Sequence, residues 1–141
     1  MSHVDKMELI CTSLNAAGRM AVKHGGVLTK AETYEWFKQH VGDYPLPAGV
    51  SIEDLGKCEY KITFPDCRYE VGLLPNPNGE GWIMIYDFWD KQLMYKIGGP
   101  KALKLQETLL LYQSEEVAES EGLLWETKED EEFLEVITYL N

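Results

Sequence analysis

The 141-residue chain predicts an α+β fold, a mostly antiparallel, ferredoxin-like sheet with two helices packed on one face. Three observations carry this expectation. Short runs of alternating, β-branched or aromatic residues cluster apart from two stretches of helical periodicity; an Asn-Gly pair joins two of those runs; and the order along the chain reads β-α-β-β-β-β-α-β-β. Strands grouped in this way pair antiparallel, and two helices on one face bury it economically.

"VDKMELI" supplies the first short apolar segment. Thr12 or Ser13 then caps a helix by accepting from the free N–H groups of its first turn. Leu14, Ala17, Gly18, Ala21 and Val22 form one stripe of mostly small residues that lets this helix lie close on a sheet, and Gly25 ends it. In "VLTKAETYEWF", Thr33, Tyr34, Trp36 and Phe37 favour a strand; "VGDYPLPAGVS", with two prolines and two glycines, reads as a long ordered loop. "CEYKITF" alternates as a half-buried strand should. "RYEVGLL" and "GWIMIYDFW" flank "PNPNGE", whose Asn78-Gly79 pair suits a hairpin turn. After Gly98, Gly99 and Pro100, residues 101–121 carry the longest helical pattern, with Leu105, Leu109 and Tyr112 along one face and Gly122 closing it. "LLWETKEDEEFLEVITYL" reads as two strands around a charged turn, with Phe133, Ile137 and Tyr139 on one side and Leu134, Val136, Thr138 and Leu140 on the other.

This length suits one domain, 1–141, which buries roughly two thirds of its unfolded surface. Neither a secretory leader nor an apolar span of about 18 residues occurs, so a cytoplasmic protein without membrane contact is expected. Cys11, Cys58 and Cys67 are odd in number and form no C-x-x-C pair, which fits free thiols. His3, His24 and His40 lack metal-ligand spacing, so neither a metal nor a cofactor is expected. A nucleophilic Cys58 served by His40 is weighed against the plainer reading of buried or idle side chains. "IGGPKALK" lacks phosphate-loop spacing and reads as a helix-initiating turn.

Two features bear on function. The first is Asp87, a carboxylate in a strand apolar on both faces, where the period of two sets Ile83, Ile85, Asp87 and Trp89 against Trp82, Met84, Tyr86 and Phe88. Either Asp87 accepts backbone N–H bonds near the strand end, or it joins Trp36, Tyr44, Tyr86 and Trp89 in a recognition patch. The proline-rich "GDYPLPAG" presents Tyr44 at low entropic cost, or is a rigid connector. The second feature is charge. The chain carries a net −11, and residues 115–132 hold Glu115, Glu116, Glu119, Glu121, Glu126, Glu129, Asp130, Glu131 and Glu132 against Lys128 alone. This is a solvated edge or an acidic face that docks a protein partner with a basic surface, Glu129, Asp130, Glu131 and Glu132 foremost. Direct nucleic-acid binding is disfavoured, since phosphate contacts need clustered Lys and Arg.

Beyond these features, the "MSH" start, "TYEWFKQHVGDYPLPAGVSIEDLGKCEYKITFPDCRYEVGLL" and "YDFWD" resemble domain of unknown function family 1257 (DUF1257), which includes a hypothetical chloroplast reading frame product. The likeness spans most of the chain and is most specific over residues 33–90; after residue 91 the chain is more acidic than the family pattern. The resemblance implies no activity. It does imply company: bacterial members are often encoded beside a very small partner protein and a MoxR-type AAA ATPase. Three function classes follow: a non-enzymatic binding or adaptor module; an enzyme with a site around Asp87, Cys58 and the 42–47 loop; and an acidic nucleic-acid mimic that inhibits a DNA-binding protein.

Overall fold

A computed structural model describes residues 2–39, 42 and 44–121. The two C-terminal strands expected over 123–140, the closing Gly122 and the acidic group Glu129 to Glu132 lie outside the described residues.

Among the described residues the chain is α+β, with an all-antiparallel five-stranded sheet and three α-helices. In order, these are β1 (Val4–Lys6), α1 (Leu14–Lys23), β2 (Val27–Lys30), β3 (Tyr60–Thr63), β4 (Val71–Pro75), β5 (Trp82–Asp87), α2 (Lys91–Ile97) and α3 (Leu103–Ser120), with a single 3₁₀ turn at Ile52–Asp54. The strand order is β1-β5-β4-β3-β2. Four antiparallel pairings leave β1 and β2, which α1 connects, pointing the same way. A ferredoxin-like sheet separates such a pair by one strand; here three lie between them.

Local chemistry explains most elements. Ser13 caps α1 by accepting from the Ala16 N–H at 3.0 Å, and Gly25 takes a positive φ of 84° just past its end. The buried face of α1 is Ala16, Ala17, Met20 and Ala21; Val22, expected on the inward stripe, is 68% exposed. The hairpin between β4 and β5 closes at Asn76, whose N–H donates to the Gly81 carbonyl. Helix α2, which the sequence did not announce, begins at Asp90, whose carboxylate accepts from the Gln92 N–H at 3.1 Å, and ends at Gly98 in the left-handed region. The α3 stripe of Leu105, Leu109 and Tyr112 is buried as expected.

The sheet has two covered faces. On one, Ile62, Leu73, Met84 and Tyr86 share an apolar cluster with Ala16, Ala17 and Met20 of α1, Leu93 and Ile97 of α2, and Leu105 and Leu109 of α3. On the other, Val4, Ile83 and Ile85 pack against Tyr34, Val50, Leu55 and Cys58 from the excursion between β2 and β3. Each fully buried aliphatic side chain contributes about 1.5–3 kcal/mol relative to exposure. The close approach of the excursion needs Gly72, because a Cβ there would lie 2.4 Å from the Tyr34 ring. Gly56, at φ +83°, is likewise covered by the Trp36 indole.

Only residues 27–30 of the strand expected over 27–37 join the ladder. The reason is competition from side-chain acceptors. The Glu35 N–H donates to the Glu70 carboxylate at 2.8 Å, and the Phe37 N–H to Asp87 at 3.3 Å. Residues 31–34 still bond to residues 56–59, and beyond them these side-chain bonds take the place of a ladder.

Candidate functional site

Asp87 lies at the end of β5, opposite Val4 of β1 and on the excursion-covered face. It is 0% exposed. Three backbone donors satisfy it: the N–H groups of His3 (3.0 Å) and Trp89 (3.1 Å) reach Oδ1, and that of Phe37 (3.3 Å) reaches Oδ2. Among the described residues it has no salt bridge. Charge-assisted bonds of this kind are about twice as strong as neutral ones and offset the cost of burying the group.

The three donors meet again in one place, because the side chains of His3, Phe37 and Trp89 all line one cleft of about 540 Å³. Arg68, Tyr69, Phe88, Asp90, Lys91 and Met94 complete it. Asp87 therefore holds three walls by their backbones while its own oxygens face none of the solvent. Asp90 does the same on the opposite side, with Oδ2 accepting from the Arg68 and Tyr69 N–H groups at 3.2 and 3.4 Å while Oδ1 caps α2. The two aspartates of "YDFWD" thus bracket Phe88 and Trp89 and fix the loops on either side.

At the mouth, His3 is the centre of an aromatic group. Its ring lies 5.0 Å from Tyr44, 5.4 Å from Phe88 and 5.0 Å from Trp89, the last edge-on, and Tyr44 meets Phe88 edge-on at 5.3 Å. Edge-to-face contacts at these separations are favourable beyond the area they bury. Trp89 is nevertheless 48% exposed, which leaves much of the indole open to a ligand.

Of the expected patch, Tyr44, Asp87 and Trp89 come together around His3. Tyr86 does not. It is 0% exposed on the helix side of the sheet, and its hydroxyl donates to the Pro100 carbonyl at 2.8 Å, as a buried Tyr in the alternate register must. Trp36 packs against the cluster under the excursion and is absent from the cleft lining. His3, Phe37, Arg68, Tyr69 and Lys91 were not legible as site residues; for Arg68 and Tyr69 the available signal was the capping aspartate that draws their backbone to α2.

Of the Cys58 and His40 pair weighed at the outset, His40 lies outside the described residues. Cys58 is buried, its thiol donates to the Ala31 carbonyl at 3.3 Å, and burial pushes it up to about 11. Burial likewise pushes Cys11 and Cys67 up to about 11, opposite to the shift that activates a thiolate. Cys58 lines a separate cavity of about 460 Å³ with Lys30, Glu59, Tyr60 and Trp82. His24 sits by α3 with Nε2 2.8 Å from the Thr108 hydroxyl; burial first, then Lys104 and Lys23, lower its pKa. Among the described residues no group of three His, Cys, Asp or Glu side chains is placed to hold a metal, and no helix is long and apolar enough to cross a membrane.

Part of the acidic segment is described. Glu115 pairs with Arg19 at 3.4 Å and Glu116 accepts from the neutral Asn15 amide at 2.8 Å, so α1 compensates one acid near the end of α3 and hydrogen-bonds a second. Glu119 and Glu121 remain exposed. Comparison with known proteins adds no relative: no family model, no curated protein and no solved structure matches the chain.

Proposed function

We propose that the chain is a non-catalytic binding domain of the domain of unknown function 1257 type, acting in the cytoplasm as an adaptor through protein contacts. The observation that carries this reading is the cleft bracketed by Asp87 and Asp90, with a half-exposed Trp89 at its mouth and its walls held by backbone bonds. A rigid aromatic anchor presented this way loses little entropy on binding. The three thiols are shifted away from reactivity and both oxygens of Asp87 are occupied, which favours binding over a reaction at Asp87 and Cys58.

Its partner is a protein with a basic surface, docked by Glu129, Asp130, Glu131 and Glu132, in a system that includes a very small protein and a MoxR-type AAA ATPase. The test is a pull-down from the native host with the wild type, Trp89→Ala and a variant with those four acids changed to Lys. Each variant is expected to retain its circular dichroism and lose the partner. With the recovered partner, raising salt from about 50 to 500 mM is expected to slow association roughly tenfold. Equal recovery by Trp89→Ala overturns the role of the cleft, and a salt-independent rate overturns the acidic face.

A further inference from the structure

The cations of the cleft and those of the cavity around His24 differ in what they meet. Around His24, Lys96 is paired with Asp66 at 2.8 Å and Lys104 donates to the Tyr95 carbonyl at 3.3 Å. In the cleft, Arg68 and Lys91 are exposed and enter no salt bridge among the described residues. The one acid in the lining, Asp90, already accepts three backbone bonds. Two cations outside any salt bridge among the described residues thus line a cleft that Phe88 and Trp89 also line, in a chain of net charge −11. In a field of that sign, two neighbouring cations are what draws an anion to one place.

Resting on the binding-domain reading and deepening it, the geometry points to a specific ligand chemistry: the cleft takes a planar aromatic ring that bears an anionic group, the ring against Trp89 and Phe88 and the anion between Arg68 and Lys91. The volume of about 540 Å³ is that of a site for a small molecule. Ring stacking on an aromatic side chain and a charge-assisted bond from a guanidinium are independent contributions, so a ligand with both binds more tightly than either fragment. A mononucleotide and an aromatic carboxylate both meet the description. Inorganic phosphate and adenosine each meet half of it.

The experiment is an amide and indole NMR titration of the whole chain with AMP, indole-3-acetate, adenosine and inorganic phosphate. AMP or indole-3-acetate is expected to saturate with a dissociation constant of about 0.1–1 mM and to shift the signals of His3, Arg68, Trp89 and Lys91. Adenosine and phosphate are expected to bind at least about tenfold more weakly. Whichever of the first two saturates at lower concentration identifies the source of the anion as phosphate ester or carboxylate. The double variant Arg68→Gln, Lys91→Gln is expected to weaken the ring-bearing anion about tenfold and leave adenosine unchanged. Trp89→Ala, with its fold checked by circular dichroism, is expected to weaken both. Absence of saturation by either ring-bearing anion, equal affinity for adenosine, equal affinity for phosphate, or shifts confined to residues outside the cleft overturns the inference. A protein partner lost by Trp89→Ala in the pull-down, with no small-ligand binding, removes this ligand class and leaves the adaptor reading; the converse pair of results removes the adaptor reading alone.

Discussion

Replacing Asp87 by Asn keeps the shape of the side chain and removes one of two acceptors. The amide oxygen takes the better-populated position, Oδ1, where His3 and Trp89 donate; the NH₂ group then faces the Phe37 N–H, donor against donor. Two charge-assisted bonds become neutral, losing about 1 kcal/mol each, and the Phe37 bond is lost for about another 1–2 kcal/mol. Relief of carboxylate desolvation returns part of this, so a net loss of about 2 kcal/mol is expected, or roughly 6 °C in Tm for a domain of this size. Asp87→Ala orphans all three donors and is expected to cost about 4 kcal/mol. Urea denaturation followed by circular dichroism checks both. An unchanged midpoint for Asn, or an Ala variant no worse than Asn, refutes the assignment of Asp87 as the fastening point of the cleft walls.

Glu70 gives a pH test: burial pushes its carboxyl up, but the Thr63 hydroxyl, the Glu35 N–H and the Lys61 ammonium outweigh burial and hold it below its ordinary 4.5. The unfolded state then binds more protons, so this stability is present above about pH 4.5 and lost as pH falls through the lower folded value; Glu70→Gln is expected to flatten that acid limb in urea midpoints, and a parallel limb refutes it. The Tyr34 hydroxyl is buried and, apart from a poorly aligned approach to the Gly56 backbone, makes no hydrogen bond among the described residues, so Tyr34→Phe is expected to stabilise by about 1 kcal/mol; a lowered urea midpoint shows that the hydroxyl is bonded. Since burial lifts the thiols to about 11 from 9.0, labelling by a disulfide reagent at about pH 8 is expected to run roughly a hundredfold slower in the native state than in urea, and equal rates contradict it.

Where a residue's environment is set by its immediate neighbours, its role was legible. The alternation in "WIMIYD" assigned Ile83, Ile85 and Asp87 to one face and Met84 and Tyr86 to the other, and the register agrees. Ser13 and Gly25 marked the ends of α1 because capping is local. Helix α2 escaped because seven residues show no period; only Asp90 and Gly98 at its ends carry the signal. The overlong β2 arose from propensity, which knows nothing of acceptors 35 and 50 residues away. His3 and Phe37 became site residues through Asp87, and no spacing along the chain encodes that convergence. The buried face of α1 was misjudged for a related reason: both stripes have helical spacing, and Met20, whose bulk decides the matter, was not counted in the expected one.

The pairing of β1 with β5 joins residues 4–6 to residues 85–87, and the cleft draws its walls from residue 3, residue 37, residues 68–69 and residues 88–94. On a ribosome adding about 5–20 residues per second, Val4 waits roughly 4 to 16 s for the strand it pairs with. Throughout that interval the apolar side of α1 has no α3 to cover it, and the nascent chain carries a sticky helix without a core. Non-local closure of this kind is slow. The same closure means that a ligand in the cleft binds only the finished molecule and at a hundred times its dissociation constant raises unfolding free energy by about 2.7 kcal/mol.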